Sequence, residues 1–436
     1  MNSGFADLDL YPVSSEINSD GELLIAGNDL NKLVKDFGTP LYLYDGQTIR
    51  NQIHNLSNLL QHFYPGKSIS AYAAKAYFCR RLGLKLVNEP LDLDVVSSGE
   101  LTLAKRCGFD PERIHFHGNN KTLSELKQAI EWNVHAIVVD SMDEIYLIEK
   151  IASEMNKHVQ IWLRLTPDIH VATHPHIETS AADSKFGLHI QSGEAQEAIK
   201  YAMNSQWLKL IGLHCHLGSQ LFDAEPYRLA IEMVYRVSNE CGYEPQEISP
   251  GGGWGVRYTS EDPENNPEYW IKTISDEIQI QCQKYNQKLP KLILEPGRFI
   301  IARSGVSIYK IGTIKKNTNG LTILAVDGGM ADNPRFALYQ AKYSAKIINK
   351  ASKPGIINSR IVGKYCESGD ILIDQIMLPA ADRDDLLIIP VSGAYQLSMS
   401  SNYNLSQRPA VLWLEANGTY ELLQQRETIE DMLWWL

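Results

Sequence analysis

Ser70-Ala71-Tyr72-Ala73-Ala74-Lys75-Ala76 is a strand-like run of small and apolar residues that carries a single ammonium. Burying a charged lysine is costly unless it is paired, neutralised or made covalent. A desolvated lysine of lowered pKa is a nucleophile toward carbonyl compounds. The plainer reading is a lysine that snorkels from a strand end into water. The run opens a series of candidate strands: Ser68–Ala74, Asp92–Val96, Ile114–His117, Ala136–Val139, Gln160–Leu165, Leu210–Cys215, Glu247–Ile248 and Leu292–Leu294. Amphipathic stretches such as Gly99–Arg106, Leu123–Glu131 and Met142–Glu154 lie between them. Eight strand-then-helix units in series predict a parallel (β/α)8 barrel rather than an open sheet. Chemistry in such a barrel gathers at the C-terminal strand ends. Lys75, Ser97, Gly118-Asn119, His216, Gly251–Gly253 and Glu295 all fall there.

After about residue 305 the texture changes. Val306–Ile314, Thr322–Asp327, Ile371–Met377, Leu386–Pro390 and Ala410–Ala416 read as strands without long helices between them. They predict a mostly antiparallel β-domain that also takes in the N-terminal strands Leu23–Ile25 and Leu41–Tyr44. The expected division is therefore 1–45, 46–305 and 306–436. The formal charge of -11 argues against nucleic acid as a partner, because phosphate backbones call for a basic surface. Six scattered cysteines form neither a disulfide framework nor a zinc cluster, which makes a reducing cytoplasm the default. The acidic N-terminus does not read as a signal peptide, and no apolar run is long enough to cross a bilayer. The terminal Leu433–Leu436 reads as a packing anchor or an interface edge.

Four motifs carry chemistry. Pro250-Gly251-Gly252-Gly253-Trp254-Gly255 is a glycine run that lets backbone N–H groups approach a phosphate, or is a plain turn. His214 and His216, two apart on a strand, raise a metal site, but no Glu, Asp or Cys partner stands at ligand spacing nearby, so no metal is expected. The alternative is an imidazole lying flat against a ring, with Ser219 bonding a phosphate. Glu295-Pro296-Gly297-Arg298 offers a carboxylate suited to keeping a ring nitrogen protonated, or an internal Glu295–Arg298 ion pair. Cys366-Glu367-Ser368-Gly369-Asp370 places a thiol beside carboxylates.

The ordered set AYAAKA, VVSSGEL, HGNNKT, DSKFGL, GLHCHLGSQ, GGGWG, EPGR, VDGGMADNPRFALY, CESGD and GAYQLSMSSNYN resembles the diaminopimelate decarboxylases. These are pyridoxal-phosphate enzymes of the alanine racemase and ornithine decarboxylase fold. The resemblance runs from Phe37 to Thr428 and implies decarboxylation of meso-diaminopimelate to lysine. By motif it implies that Lys75 binds the cofactor covalently, His216 stacks on its ring and Glu295 faces its pyridine nitrogen. Ser219, Gly251, Gly252, Gly253 and Tyr395 would hold its phosphate; Asp94, Gly297 and Arg298 would complete the cofactor site. Arg298, Arg335, Tyr339 and Tyr395 would bind the substrate, with Glu367 on its distal ammonium. Cys366 would return the proton. In the family Cys366 and Glu367 come from the other subunit, which implies a homodimer with shared sites.

Three positions depart from the family pattern: His176 and Ser180 in HPHIETS, and Phe299 after EPGR. Among rivals, a decarboxylase of ornithine, lysine or arginine would leave Arg335 without a purpose. An alanine racemase would pair the ring nitrogen with arginine, not Glu295. A catalytically dead homologue is expected to have lost Lys75 or Cys366, and both are present.

Overall fold

A computed structural model describes residues 8–169 and 185–433. His176, Ser180 and Trp434 to Leu436 lie outside the described residues. The chain forms two compact units. One comprises Gln52–Gly255 and Asn265–Phe299; the other comprises the described residues up to Asn51, Val256–Glu264 and the chain from Ile300 onward.

The first unit is built on eight parallel strands: β1 (Ser68–Ala73), β2 (Leu91–Val95), β3 (Ile114–Phe116), β4 (Ala136–Val139), β5 (Val159–Thr166), β6 (Leu208–His214), β7 (Glu247–Ser249) and β8 (Lys291–Leu294). Each pairs with the next, and β8 returns to β1 through Leu292 opposite Ser68, which closes the barrel. Closure leaves no edge strand, and burial on both faces explains why these strands read as short apolar runs. A two-residue strand, Leu188–His189, adds in parallel to the end of β5.

Caps punctuate the βα units. Ser97, Thr122 and Ser141 accept from the backbone N–H three residues on and start the helices Ser98–Cys107, Leu123–Trp132 and Met142–Met155. Gly108, Asn133 and Asn156 end them in the left-handed conformation.

Ala71, Ala136, Val138, Trp162, Ile211 and Ile293 pack as one apolar cluster of the barrel. Small residues make room for the fully buried Trp162. A Cβ on Gly212 would stand 2.6 Å from the indole, so that glycine is set by close approach. Trp162 Nε1 donates to Glu247 at 2.8 Å, and His135 Nε2 lies 2.9 Å from both oxygens of the same carboxylate.

In the second unit the main sheet runs in the order 371–378, 357–362, 322–326, 305–316, 41–45, 410–414 and 420–424. The long strand Gly305–Lys316 pairs through its first half with Leu41–Asp45 and Leu386–Ile389, and through its second half with Thr322–Val326. Two pairings are parallel, so the sheet is mixed. The expected N-terminal strands part company. Leu41–Asp45 enters the main sheet, while Leu23–Ile25 forms a separate sheet with Ser15–Ile17 and Asn28–Asp29.

The His135–Glu247 pair gives the barrel unit a pH signature. Burial works against the His135 cation, but Glu247 outweighs it and raises the imidazole pKa. Burial also works against the Glu247 charge, and His135 outweighs that, lowering the carboxyl pKa. The histidine's contribution is thus present below its unfolded pKa and lost as pH rises through the raised value. The glutamate's is present above its unfolded pKa and lost on acidification. We expect His135→Gln to lower the urea midpoint more at about pH 5.5 than at about pH 8.5. Equal losses at both pH values would contradict the pairing.

Candidate active site

The strand before Lys75 stops at Ala73, and Ala74–Ala76 form a 3-10 turn. Lys75 stands exposed on that turn at the C-terminal end of the barrel. The turn lifts the ammonium off the strand, so of the two readings of this lysine the one with the amine reaching out from a strand end describes its position. Gly297 crosses the end of β1 so closely that a Cβ would lie 2.9 Å from that of Ala73.

Behind Lys75 the barrel end is lined with buried polar groups. Glu295 follows β8 and is 6% exposed. It accepts from Ser249 Oγ at 2.8 Å and from His214 Nε2 at 3.0 Å, with His117 Nε2 at 3.5 Å. Asp94, buried on β2, lies 3.8 Å from His117. Burial opposes the charge on Glu295, yet His214 and His117 hold its carboxyl well below the usual range. Burial raises Asp94, only partly offset by His117. Burial also brings His214 down to about 4, so at neutral pH it is an uncharged donor to Glu295. The view that His214 lacks an acidic partner is therefore corrected: the partner comes from 81 residues away. Ligand atoms of His117, His214 and Glu295 stand within 4.8 Å of one another, and the 3.0 Å contact is that of an imidazole–carboxylate hydrogen bond.

His216 follows β6 and is half-buried. Burial, then the Lys75 ammonium and the Arg164 guanidinium, push it well below its ordinary value, so its ring is neutral. The glycine run is pressed against the backbone around it. A Cβ on Gly253 would lie 2.0 Å from the Gly218 carbonyl oxygen, and one on Gly252 would lie 2.0 Å from that of Glu295. Gly251 and Gly253 also have φ of 78° and 90°. Leu221 N donates to Gly253 O at 3.0 Å, tying the loop after His216 to β7. Ser219 Oγ accepts from Arg298 Nη2 at 3.0 Å, which joins two of the expected site residues directly. Phe299 packs edge-on to Trp254 and Trp270, rings that stack at 5.3 Å, and this accounts for a large residue after EPGR.

Two groups in this set had no assigned role from sequence. His117 contacts both Asp94 and Glu295. Arg164, buried on β5, lies 3.7 Å from Asp140 and over the Phe186 ring at 4.3 Å. Its signal was the one that singled out Lys75, a lone cation in an apolar strand.

The second unit carries the remaining residues. Arg335 and the half-buried Tyr339 open and close one short helix, and Arg335 is buried with Nη1 donating to Tyr343 Oη at 2.8 Å. Cys366 and Glu367 are exposed on the loop 363–370. Buried Asp370 holds that loop by accepting from Met330 N at 2.7 Å and Tyr365 N at 2.8 Å. Glu367 accepts from Tyr403 Oη. Tyr395 takes a φ of 59°, a left-handed backbone conformation unusual for a side chain of its size.

Residues 47–302 match the family model described as pyridoxal-dependent decarboxylase, pyridoxal binding domain. The chain is similar to the diaminopimelate decarboxylase of Bacillus methanolicus, 42% identical over 95% of this chain and 96% of the relative. It is 39% identical to that of Bacillus subtilis, over 96% of each. Among solved structures, the diaminopimelate decarboxylase of M. jannaschii in co-complex with L-lysine has a TM-score of 0.89 at 32% identity, over 97% of both chains. The lysine/ornithine decarboxylase of Vibrio vulnificus shares the fold, with a TM-score of 0.73 at 23% identity over 88% of this chain and 97% of that one.

The tight seat of the glycine run is open to test. Gly253→Ala combines a positive φ with a backbone clash, whereas Gly193→Ala has a φ of 88° and nothing within 4 Å. Gly193→Ala should cost about 1 kcal/mol and Gly253→Ala about 3 kcal/mol or more in urea unfolding. Equal costs would show that the contact with Gly218 is not tight.

Proposed function

Because the chain belongs to the diaminopimelate decarboxylases, within the pyridoxal-dependent decarboxylases, we propose that it is a carboxy-lyase converting meso-diaminopimelate to L-lysine and carbon dioxide. Its cofactor is pyridoxal phosphate. The observation that carries the reading is that the Bacillus methanolicus relative matches 95% of the chain, across both units and not the barrel alone.

The barrel-end residues fit that cofactor in their chemistry. An exposed primary amine, a neutral imidazole, an ionised buried carboxylate and a glycine run stand at neighbouring strand ends. When bound, the pyridine ring supplies a sink for the electron pair left behind as carbon dioxide departs. Lys75 would attach it covalently and be displaced by the substrate amine. Glu295 would keep a proton on the ring nitrogen, with Asp94 beside it and Gly297 and Arg298 completing the wall. His216 would lie against the ring face. Ser219, the glycine run and Tyr395 would hold the phosphate. Arg298, Arg335, Tyr339 and Tyr395 would grip the substrate, where planar guanidinium forks suit carboxylates. Cys366, or Lys75, would return a proton to the substrate carbon.

A homodimer with shared sites is part of this reading. Cys366 and Glu367 sit exposed on a loop held by Asp370, a placement suited to serving a partner subunit. The division 1–45, 46–305 and 306–436 assigns the cofactor to the middle segment. Cytoplasm is the compartment we assign, because all six cysteines are free. Among the described residues no helix is long and apolar enough to cross a membrane.

The test supplies meso-diaminopimelate, L-ornithine and L-lysine separately with pyridoxal phosphate and measures carbon dioxide and amine product. Release from diaminopimelate alone is expected, and release from ornithine in its place would overturn the assignment. Mixing the inactive Lys75→Ala and Cys366→Ala proteins should restore part of the activity through hybrid sites. No recovery despite verified subunit exchange would refute shared sites.

A further inference from the structure

Arg335 has an unusual setting for a buried cation. It is 5% exposed, and its guanidinium lies over the ring of Tyr258 at 4.8 Å and near that of Tyr343 at 5.7 Å. Its Nη1 donates to Tyr343 Oη, while its Nε is buried without a hydrogen-bond partner. Among the described residues no acidic group pairs with it. A desolvated charge without a countercharge is costly, so the surroundings of Arg335 call for an anion that the unit itself does not provide.

The phenol that grips Arg335 is itself held. Gln396 Nε2 donates to Tyr343 Oη at 2.9 Å, so that oxygen accepts from the amide and the guanidinium together. Gln396 Oε1 accepts from Tyr42 Oη at 2.9 Å. Tyr42 and Tyr309 surround Asp332, which accepts from Tyr309 at 2.5 Å and from Gly329 N at 3.0 Å. Asp332 lies three residues before Arg335, and Gln396 directly follows Tyr395. A buried chain of hydrogen bonds thus runs from Tyr42, which stands 3.1 Å from Asp332 Oδ2, through Gln396 and Tyr343 onto the guanidinium. Such networks fix side chains more firmly than single bonds do.

We propose that Tyr343 and Gln396 are positioning residues that aim Arg335 at a carboxylate of the substrate and so select a substrate acidic at both ends. The inference rests on Arg335 being a substrate residue, as read under the proposed function. Gln396 ties that guanidinium to the turn bearing Tyr395, so both substrate-side residues share one anchor. Rotation of the guanidinium about its long stem is what the Tyr343 hydroxyl prevents; the ring alone does not.

The test uses the holoenzyme with meso-diaminopimelate. Tyr343→Phe keeps the ring and removes the hydroxyl, and should raise KM about tenfold with kcat changed less than about twofold. Gln396→Met, which keeps the chain length, should act in the same direction and serves alone if Tyr343→Phe does not fold. The absorbance of the bound cofactor should be unchanged in both. Arg335→Ala separates the layers: if it leaves KM unaltered, the reading of Arg335 as a substrate residue fails. If Arg335→Ala raises KM but Tyr343→Phe and Gln396→Met do not, only the positioning proposal fails. The double variant Arg335→Ala/Tyr343→Phe should match Arg335→Ala alone. Multiplicative losses would show that Tyr343 acts independently of the arginine.

Discussion

A carboxylate that stays charged inside a closed barrel is the constraint on which the site depends. Glu295 is removed from water at the end of β8, where an isolated charge is strongly disfavoured. Its ionisation is sustained from three other strand ends: His214 at the end of β6 and Ser249 at the end of β7 donate to it, and His117 just after β3 stands 3.5 Å away. Only a barrel that closes brings those ends around one point. The fold thus creates the electrostatic condition, an ionised carboxylate held at the barrel end.

The other features follow from that charge. His214 is neutral and spends its proton on Glu295. His216, two residues on and beyond the strand, is also neutral. The glycine run is seated against both the His216 loop and the Glu295 carbonyl, so the surrounding backbone has no room to drift. In the second unit the complementary principle applies to a cation: Arg335 is buried among phenols and lacks an acidic neighbour among the described residues.

Much of this was legible in the chain. Parallel strands buried on both faces leave short apolar runs, and all eight barrel strands fall within two residues of where those runs lie. Less visible were Ile357–Val362 and Tyr420–Gln424, strands rich in polar or exposed residues, whose pairing is decided by neighbours and not by their own pattern. Nothing in the composition marks Val256–Glu264, which brings Tyr258 under Arg335, as part of the second unit. Lys75 was singled out for its sequence setting, but its exposure depends on where the strand stops, a matter of ladder geometry. His117 and the His214–Glu295 bond were invisible because spacing along the chain says little about residues that meet across a barrel.

The central claim is that Lys75 stands as the amine that captures pyridoxal phosphate before this charged wall. The direct measurement is borohydride reduction of the cofactor-loaded protein, followed by peptide mapping by mass spectrometry. A stable pyridoxyl group on the peptide containing Lys75, and on no other lysine, is the result this account requires. A label at another lysine, or none in protein that binds the cofactor, would contradict it.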